Sequence, residues 1–314
     1  MQVLLVFIDG IGLGRQLPDN PFAFTETPCI EQTLDGRKLL AESRGYCGPK
    51  ASLLGLDAVM GVPGLPQSAT GQASLFTGVN VPKLMGQHMN GFPDQNLRQL
   101  LARRGIFLQL HKHGFRTNFA NAYRPPFFDH LYHGLPGNHY SCSTLVTYYG
   151  GLPFHDLEDI KKGRALFMDI TNNVLNKLGL EVPLITPEEG AERLLKIAGQ
   201  YHFCLFEYFL SDLAGHKKDR AEAKRIVSTL DHFIGTLADG IATDQTMLIV
   251  TSDHGNLEDL SSGEHTLNDV PALLIGSYKV RQWLAKRIFN LADVLPAVLT
   301  ILSNDNKTEA SANE

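Results

Sequence analysis

Apolar residues along this chain fall into two textures. Residues 2–8, 202–208 and 246–251 are near-continuous apolar runs, the pattern of strands covered on both faces of a parallel sheet. Shorter runs at 116–122 and 272–275 fit two further strands. Between them the spacing predicts helices over 96–104, over 107–113 ending at Gly114, from Thr186 to about Gly199, from Lys218 to about Ala238, and over 290–302. Thr186-Pro-Glu-Glu189 places a capping hydroxyl, a proline and two acids where a helix begins. Val227, Leu230, Ile234 and Leu237 mark one face of the long helix. Strands alternating with amphipathic helices predict an α/β fold, a mostly parallel sheet sandwiched by helices.

Two stretches break this rhythm. Residues 15–62 read as loop-rich, with an amphipathic piece near 30–40. From residue 123 the texture changes again: Pro125-Pro126, Phe127, Phe128, Tyr132, Tyr140, Tyr148, Tyr149 and a Gly-Gly at 150–151. Segment 123–185 is expected to be a small inserted cap. The catalytic core is then discontinuous, 1–122 and 186–303, and 304–314 is a polar tail.

Composition narrows the function class. With 43% hydrophobic and 19% charged residues, and a net charge of −5 without a sustained basic run, the chain reads as a globular enzyme with no nucleic-acid partner. An anionic small molecule remains compatible if metal ions supply local positive charge. No apolar stretch has membrane-spanning length, so no membrane partner is expected. The start lacks a basic region and meets Asp9 after a short apolar run, unlike a signal peptide. Cys29, Cys47, Cys142 and Cys204 are scattered without ligand spacing, as reduced thiols would be. A cytoplasmic location is the expectation.

The candidate chemistry sits where strands end. Asp9 follows the first run, and the glycines at 10, 12 and 14 lack dinucleotide-binding spacing. Asp212 and His216 follow the strand at 202–208, Asp253 and His254 follow the strand at 246–251, and His265 comes one loop later. Carboxyl ends of parallel strands share one edge, so three carboxylates and three imidazoles can converge, enough for two divalent cations. The plain alternative is that these are turn residues at the surface. Ser68 fits the N-cap of a short helix ending at Gly78, where free N–H groups favour an anion. Capping alone would account for it. Thr70 is the rival hydroxyl, and the spacing to Gly71 favours Ser68. His88 reads as a loop residue, and Lys112, Arg116, Arg124 and Arg164 as solvated charges ahead of phosphate clamps.

Taken together, these segments resemble the alkaline phosphatase superfamily, and within it the cofactor-independent phosphoglycerate mutases and phosphopentomutases. The resemblance covers 1–122 and 186–302 and leaves out the cap. It implies one ion on Asp212, His216 and His265, a second on Asp9, Ser68, Asp253 and His254, and Ser68 of Ser-Ala-Thr-Gly71 as nucleophile. The chain departs from the mutases at Gln72, where they carry His, at Ala69, where they carry Glu, and in its much smaller cap. The implied activity is transfer of phosphate from a small phosphate monoester through a phosphoserine, to water as a phosphatase or to another hydroxyl as a phosphomutase. The mixed Asp and His set suits Mn or Zn over Mg. Two other readings stay open: a phosphodiesterase or other ester hydrolase of the same superfamily, and a non-catalytic metal-binding module.

Overall fold

Seven strands form one sheet: β1 (Gln2–Ile8), β2 (Tyr46–Cys47), β3 (Ala51–Leu56), β4 (Thr117–Phe119), β5 (Phe203–Tyr208), β6 (Thr246–Thr251) and β7 (Val270–Ile275), in the order β2-β3-β7-β6-β1-β5-β4. The structure is a computed structural model that describes residues 1–135, 137 and 139–310. The strands β6, β1, β5 and β4 run parallel, while β7, β3 and β2 add antiparallel pairings at one side. Ile8 pairs with Tyr208 and Phe7 with Thr251. The residues that follow β1, β5 and β6 therefore leave the sheet at one edge and nearly one level.

Alternation along β1 makes the layers. Val3, Leu5 and Phe7 enter one apolar cluster, and Leu4, Val6 and Ile8 enter another, as the period of two in a strand requires. The first cluster is closed by helices α1 (Ser68–Thr77), α2 (Gln95–Arg104) and α4 (Cys142–Tyr149), with α3 (Pro125–Tyr132) beside them. The second is closed by α5 (Pro187–Ala198) and α7 (Arg220–Gly240), and α6 (Leu210–Lys217) joins β5 to α7. Helix α8 (Val294–Ala310) returns to the first face. Phe7, Phe76, Phe206 and Phe233 are fully buried, and burial of side chains this size contributes roughly 1.5–3 kcal/mol each. The Thr186 hydroxyl accepts from the Glu189 N–H and the Glu189 carboxylate accepts from the Thr186 N–H, the capping box legible in the sequence.

Several elements differ from expectation. The loop-rich stretch holds β2 and β3, whose small residues (Ala51, Ser52, Gly55) dilute the apolar pattern. Partners define that edge instead: β3 pairs with β7, and the buried Arg281 donates to Gly48 O (3.0 Å), Pro49 O (2.8 Å) and Ser52 Oγ (2.8 Å). The amphipathic piece is a shorter helix, Pro28–Thr33. In the polar tail, 304–310 continue the backbone of α8, and 311–314 lie outside the described residues. Within 123–185, Leu145 and Val146 of α4 belong to the main cluster, whereas Ile160, Ala165, Phe167, Leu175 and Val182 form a smaller one with Ala122. Among the described residues no helix is long and apolar enough to cross a membrane.

Candidate metal centre

All seven residues singled out in the sequence meet at the carboxyl edge of the sheet. Asp9 stands one residue past β1, and Asp253 and His254 follow β6. Asp212 and His216 lie four apart on α6, so one helix face presents both. His265 comes from the connection into β7. Two groups result. In the first, His216 Nε2 is 3.3 Å from Asp212 Oδ2, and His265 Nε2 is 3.6 Å from Asp212 Oδ1 and 3.2 Å from His216 Nε2. In the second, His254 Nε2 is 2.9 Å from Ser68 Oγ, 3.3 Å from Asp9 Oδ1 and 3.6 Å from Asp253 Oδ2. The His254 and His265 rings stack at 3.7 Å. Asp212 spans both groups: ligating atoms of Asp212, His216 and His265, and those of Asp9, Asp212 and His254, lie within 4.8 Å of one another.

The imidazoles are oriented alike. His216 Nδ1 faces Gly263 O at 2.9 Å, His265 Nδ1 faces Pro66 O at 2.7 Å, and His254 Nδ1 faces Gly255 O at 3.3 Å. A carbonyl only accepts, so Nδ1 of His265 and His254 carries the proton; at His216 the contact to Gly263 O is shorter than the one to Asn256 Nδ2 (3.2 Å) and selects the same tautomer, so each Nε2 turns a lone pair into the cluster. That outer support fixes ring and tautomer in metal-binding histidines. Asp9 Oδ1 and Asp212 Oδ1 are buried without a hydrogen-bond partner, a costly arrangement in an otherwise well-bonded site.

Electrostatics agrees. Burial, then the charges of Asp253, Asp212 and Glu207, raises the Asp9 carboxyl well above its usual range. Burial pushes Asp253 up to about 6, against hydrogen bonds from Gln72 and Gly10 that favour its charge. Burial pulls His254 down to about 4 and, with the neighbouring His254, lowers His265. Crowded, desolvated carboxylates lacking counter-charge are what divalent cations reverse. The oxygen and nitrogen donors of both groups suit divalent cations.

Ser68 begins α1 as its first helical residue. The cap position belongs to Gln67, in an extended conformation and without a side-chain capping bond, so the Ser68 hydroxyl is not spent on capping, as the sequence had suggested. The helical ladder starts with Gly71 N–H to Gln67 O at 2.8 Å, which leaves the N–H groups of Ser68, Ala69 and Thr70 without intrahelical partners and able to hold an anion. The rival Thr70 is fully buried; its hydroxyl donates to Gln67 O and accepts from Met89 N–H, each at 3.2 Å.

Close approach sets two glycines. A Cβ on Gly71 would sit 2.7 Å from Asp253 O, and one on Gly10 would meet the Asp212 side chain at 2.7–2.8 Å, with φ +71°. The supporting contacts carry no motif in the sequence. Gln72 Nε2 donates to Asp9 Oδ2 and Asp253 Oδ2, both at 3.1 Å. The buried Glu258 accepts from Gly12 N–H and Asn256 N–H, both at 2.8 Å.

A cleft of about 710 Å³ opens between this centre and segment 123–185, with Ser68, Asp9, Asp212, Tyr123, Phe127 and Glu207 in its lining. Tyr123 stacks on Phe127 with centroids 4.0 Å apart, and both pack against Phe154. These aromatics are thus both packing and cleft wall. Glu207 is a buried carboxyl on β5, detectable in the sequence as an acid inside Phe203-Cys-Leu-Phe-Glu-Tyr208. Burial raises its pKa to about 7, the Ser143 hydrogen bond opposing. Arg124 lines the cleft, whereas Arg164 is tied to Asp159 at 2.9 Å and His88 lies 3.1 Å from Val62 O.

Comparison with known proteins matches residues 174–306 to a family described as the Metalloenzyme superfamily. A 2,3-bisphosphoglycerate-independent phosphoglycerate mutase of Prochlorococcus marinus is 33% identical over 137 residues, 38% of this chain and 25% of the relative. The mutase of Moorella thermoacetica is 32% identical over 126 residues, 38% of this chain and 24% of the relative. The chain thus spans about a quarter of the length of these curated relatives. Among solved structures, alkaline phosphatase from the Antarctic bacterium TAB5 aligns with TM-score 0.53 and 14% identity, covering 96% of this chain and 97% of the other. Phosphoglycerate mutase of Leishmania mexicana aligns with TM-score 0.56 and 12% identity, covering 96% and 95%. At those identities the likeness is one of fold. The fold implied by the motifs is borne out, since the core has an alkaline phosphatase-like fold, and residues 174–306 carry the metalloenzyme match.

Proposed function

We propose that this chain is a two-metal phosphoryl-transfer enzyme acting on a small phosphate monoester through a phosphoserine at Ser68. The observation that carries the reading is the Ser68 hydroxyl, at a helix N-terminus, 2.9 Å from His254 Nε2 inside a cluster of carboxylates and imidazoles. Asp212, His216 and His265 would hold one cation, and Asp9, Asp253, His254 and Ser68 the other, with Asp212 at the border of both. When bound, such ions lower the pKa of a coordinated hydroxyl and offset the charge of the phosphoryl group.

The remaining work belongs to the chain. The free N–H groups of Ser68, Ala69 and Thr70 receive phosphoryl oxygens, with the positive end of the helix behind them. Ser68 gives up its hydroxyl proton to solvent, its Oγ bonds to phosphorus as the ester P–O bond breaks, and the released alkoxide takes a proton from solvent. Water or a second hydroxyl then attacks phosphorus, the Oγ–P bond breaks, and Ser68 is restored. Gln72, bonded to both Asp9 and Asp253, keeps those carboxylates aligned. The mixed donor set favours Mn or Zn.

The test is turnover of 4-nitrophenyl phosphate by the Mn- or Zn-loaded protein, with acid quenching and peptide mass spectrometry. Phosphate on Ser68 is expected. Turnover with the phosphate on another residue, or none, would contradict the assignment.

A further inference from the structure

The cleft holds a carboxyl group that phosphoryl transfer does not use. Glu207 is 6% exposed, it lines the cleft together with Ser68 and Asp9, and one of its oxygens accepts from Ser143 Oγ at 2.6 Å. Its backbone is locked to Asn121, which accepts from Glu207 N–H at 2.8 Å and donates to Glu207 O at 2.7 Å. Its second oxygen has no hydrogen-bond partner, and no cation pairs with it, among the described residues. A carboxyl nine-tenths buried and held rigidly presents its second oxygen to the cleft, where a donor on a bound molecule can reach it.

The rest of the wall says what kind of molecule brings that donor. Tyr123, Phe127, Phe167 and Met168 line the cleft, and Arg124 is the one Lys or Arg in its lining among the described residues. An apolar wall recognises an apolar body, and neither Arg124 nor the lining imidazoles His130 and His139 are among the groups that act on Glu207. With its carboxyl pushed up to about 7, Glu207 is ionised above that pH, where a carboxylate placed beside it would set two like charges in a poorly solvated site.

We infer that Glu207 is a specificity residue: it accepts a hydrogen bond from a hydroxyl or ammonium group on the organic half of the ester, whose apolar body lies along Tyr123 and Phe127, and it rejects esters that carry a carboxylate there. This rests on the proposed phosphoryl-transfer reading and adds the substrate class to it. The chain would then be turned away from phosphoglycerate-like acids and toward alcohol- or amine-bearing phosphate esters.

Four phenyl phosphates with the same leaving-group chemistry test it, bearing para-ethyl, 2-hydroxyethyl, 2-aminoethyl or 2-carboxyethyl. At pH 8, where Glu207 is ionised, affinity is measured by calorimetry on the metal-loaded Ser68→Ala protein and turnover on the parent, each normalised to the ethyl compound. The hydroxyethyl or aminoethyl ester is expected to bind at least about tenfold tighter than the carboxyethyl ester, a difference near 1.4 kcal/mol. Glu207→Gln keeps an acceptor for Ser143 and removes the charge, and is expected to erase the aminoethyl-to-carboxyethyl ratio. A flat order in the parent, or a carboxyethyl preference, overturns the inference even if Glu207→Gln does not fold. A ratio unchanged in a folded Glu207→Gln does the same. Failure to hydrolyse even the ethyl ester would count against the phosphoryl-transfer reading, while the affinity order would still decide the role of Glu207.

Discussion

The Nε2 atoms of His216 and His265 face each other at 3.2 Å, and each ring has its Nδ1 against a backbone carbonyl, Gly263 and Pro66. With both Nδ1 atoms protonated, neither Nε2 has a hydrogen to give the other. Asp212 offers an oxygen to each at 3.3 and 3.6 Å. Two lone pairs and a carboxylate converging on one point are the arrangement a cation resolves. The same holds around His254, where Asp9, Asp253 and Ser68 converge.

Removing one ligand should therefore be selective. His216→Ala is expected to lose one of two bound ions, because His216 contributes to one group. Asp212→Ala is expected to lose more, because it borders both. Elemental analysis after gel filtration reads both; equal losses in the two variants would contradict the shared role of Asp212.

Ser68→Ala should remove the proposed phosphoryl acceptor and leave the fold intact. Activity on phosphomonoesters is expected to fall at least about 10³-fold. The melting temperature should change little, since Ser68 caps nothing. Steady-state rates with thermal melts check this. A variant as active as the parent would rule Ser68 out as nucleophile.

Asp253→Asn should change sign with metal. In the metal-free protein Asp253 keeps its proton up to about pH 6, whereas unfolded it releases it near 3.8. Its contribution to folded stability is full below the unfolded value and is lost as pH rises toward the folded one. At pH 7 the metal-free parent thus carries a buried repulsive charge that asparagine lacks. Metal-free Asp253→Asn is expected to melt above metal-free parent at pH 7, and below the parent once both are loaded with Mn or Zn. Melts with and without chelator measure it, and the same order in both states would contradict it.

Gly71→Ala tests how the centre is shaped. The added Cβ would lie 2.7 Å from Asp253 O, so α1 or the turn after β6 must shift. A destabilisation of about 1–3 kcal/mol is expected, with a fall in turnover larger than that loss of folded protein explains, because Ser68 moves with α1. Denaturant titration alongside kcat checks it.

Much of this was readable in the sequence, for physical reasons. Strands β1, β5 and β6 are buried on both faces, so they show as apolar runs, and the carboxyl ends of parallel strands must share an edge. That alone brought Asp9, Asp212, His216, Asp253, His254 and His265 to one place. β2 and β3 were not legible, since Ala51, Ser52 and Gly55 blur the period and the pairing with β7 supplies the order. Ser68 looked like a cap because hydroxyl residues usually are; only geometry shows Gln67 in that position. The double reach of Asp212 and the bridge from Gln72 depend on distances that spacing does not encode. Glu207 was visible as an acid in an apolar run, but its opening to the cleft was not.

Anomalous diffraction from crystals of the Mn-loaded protein would locate the bound ions themselves. Two peaks per chain are expected, one among Asp212, His216 and His265 and one among Asp9, Asp253, His254 and Ser68. No peak, or peaks only at other residues, would contradict the two-ion centre.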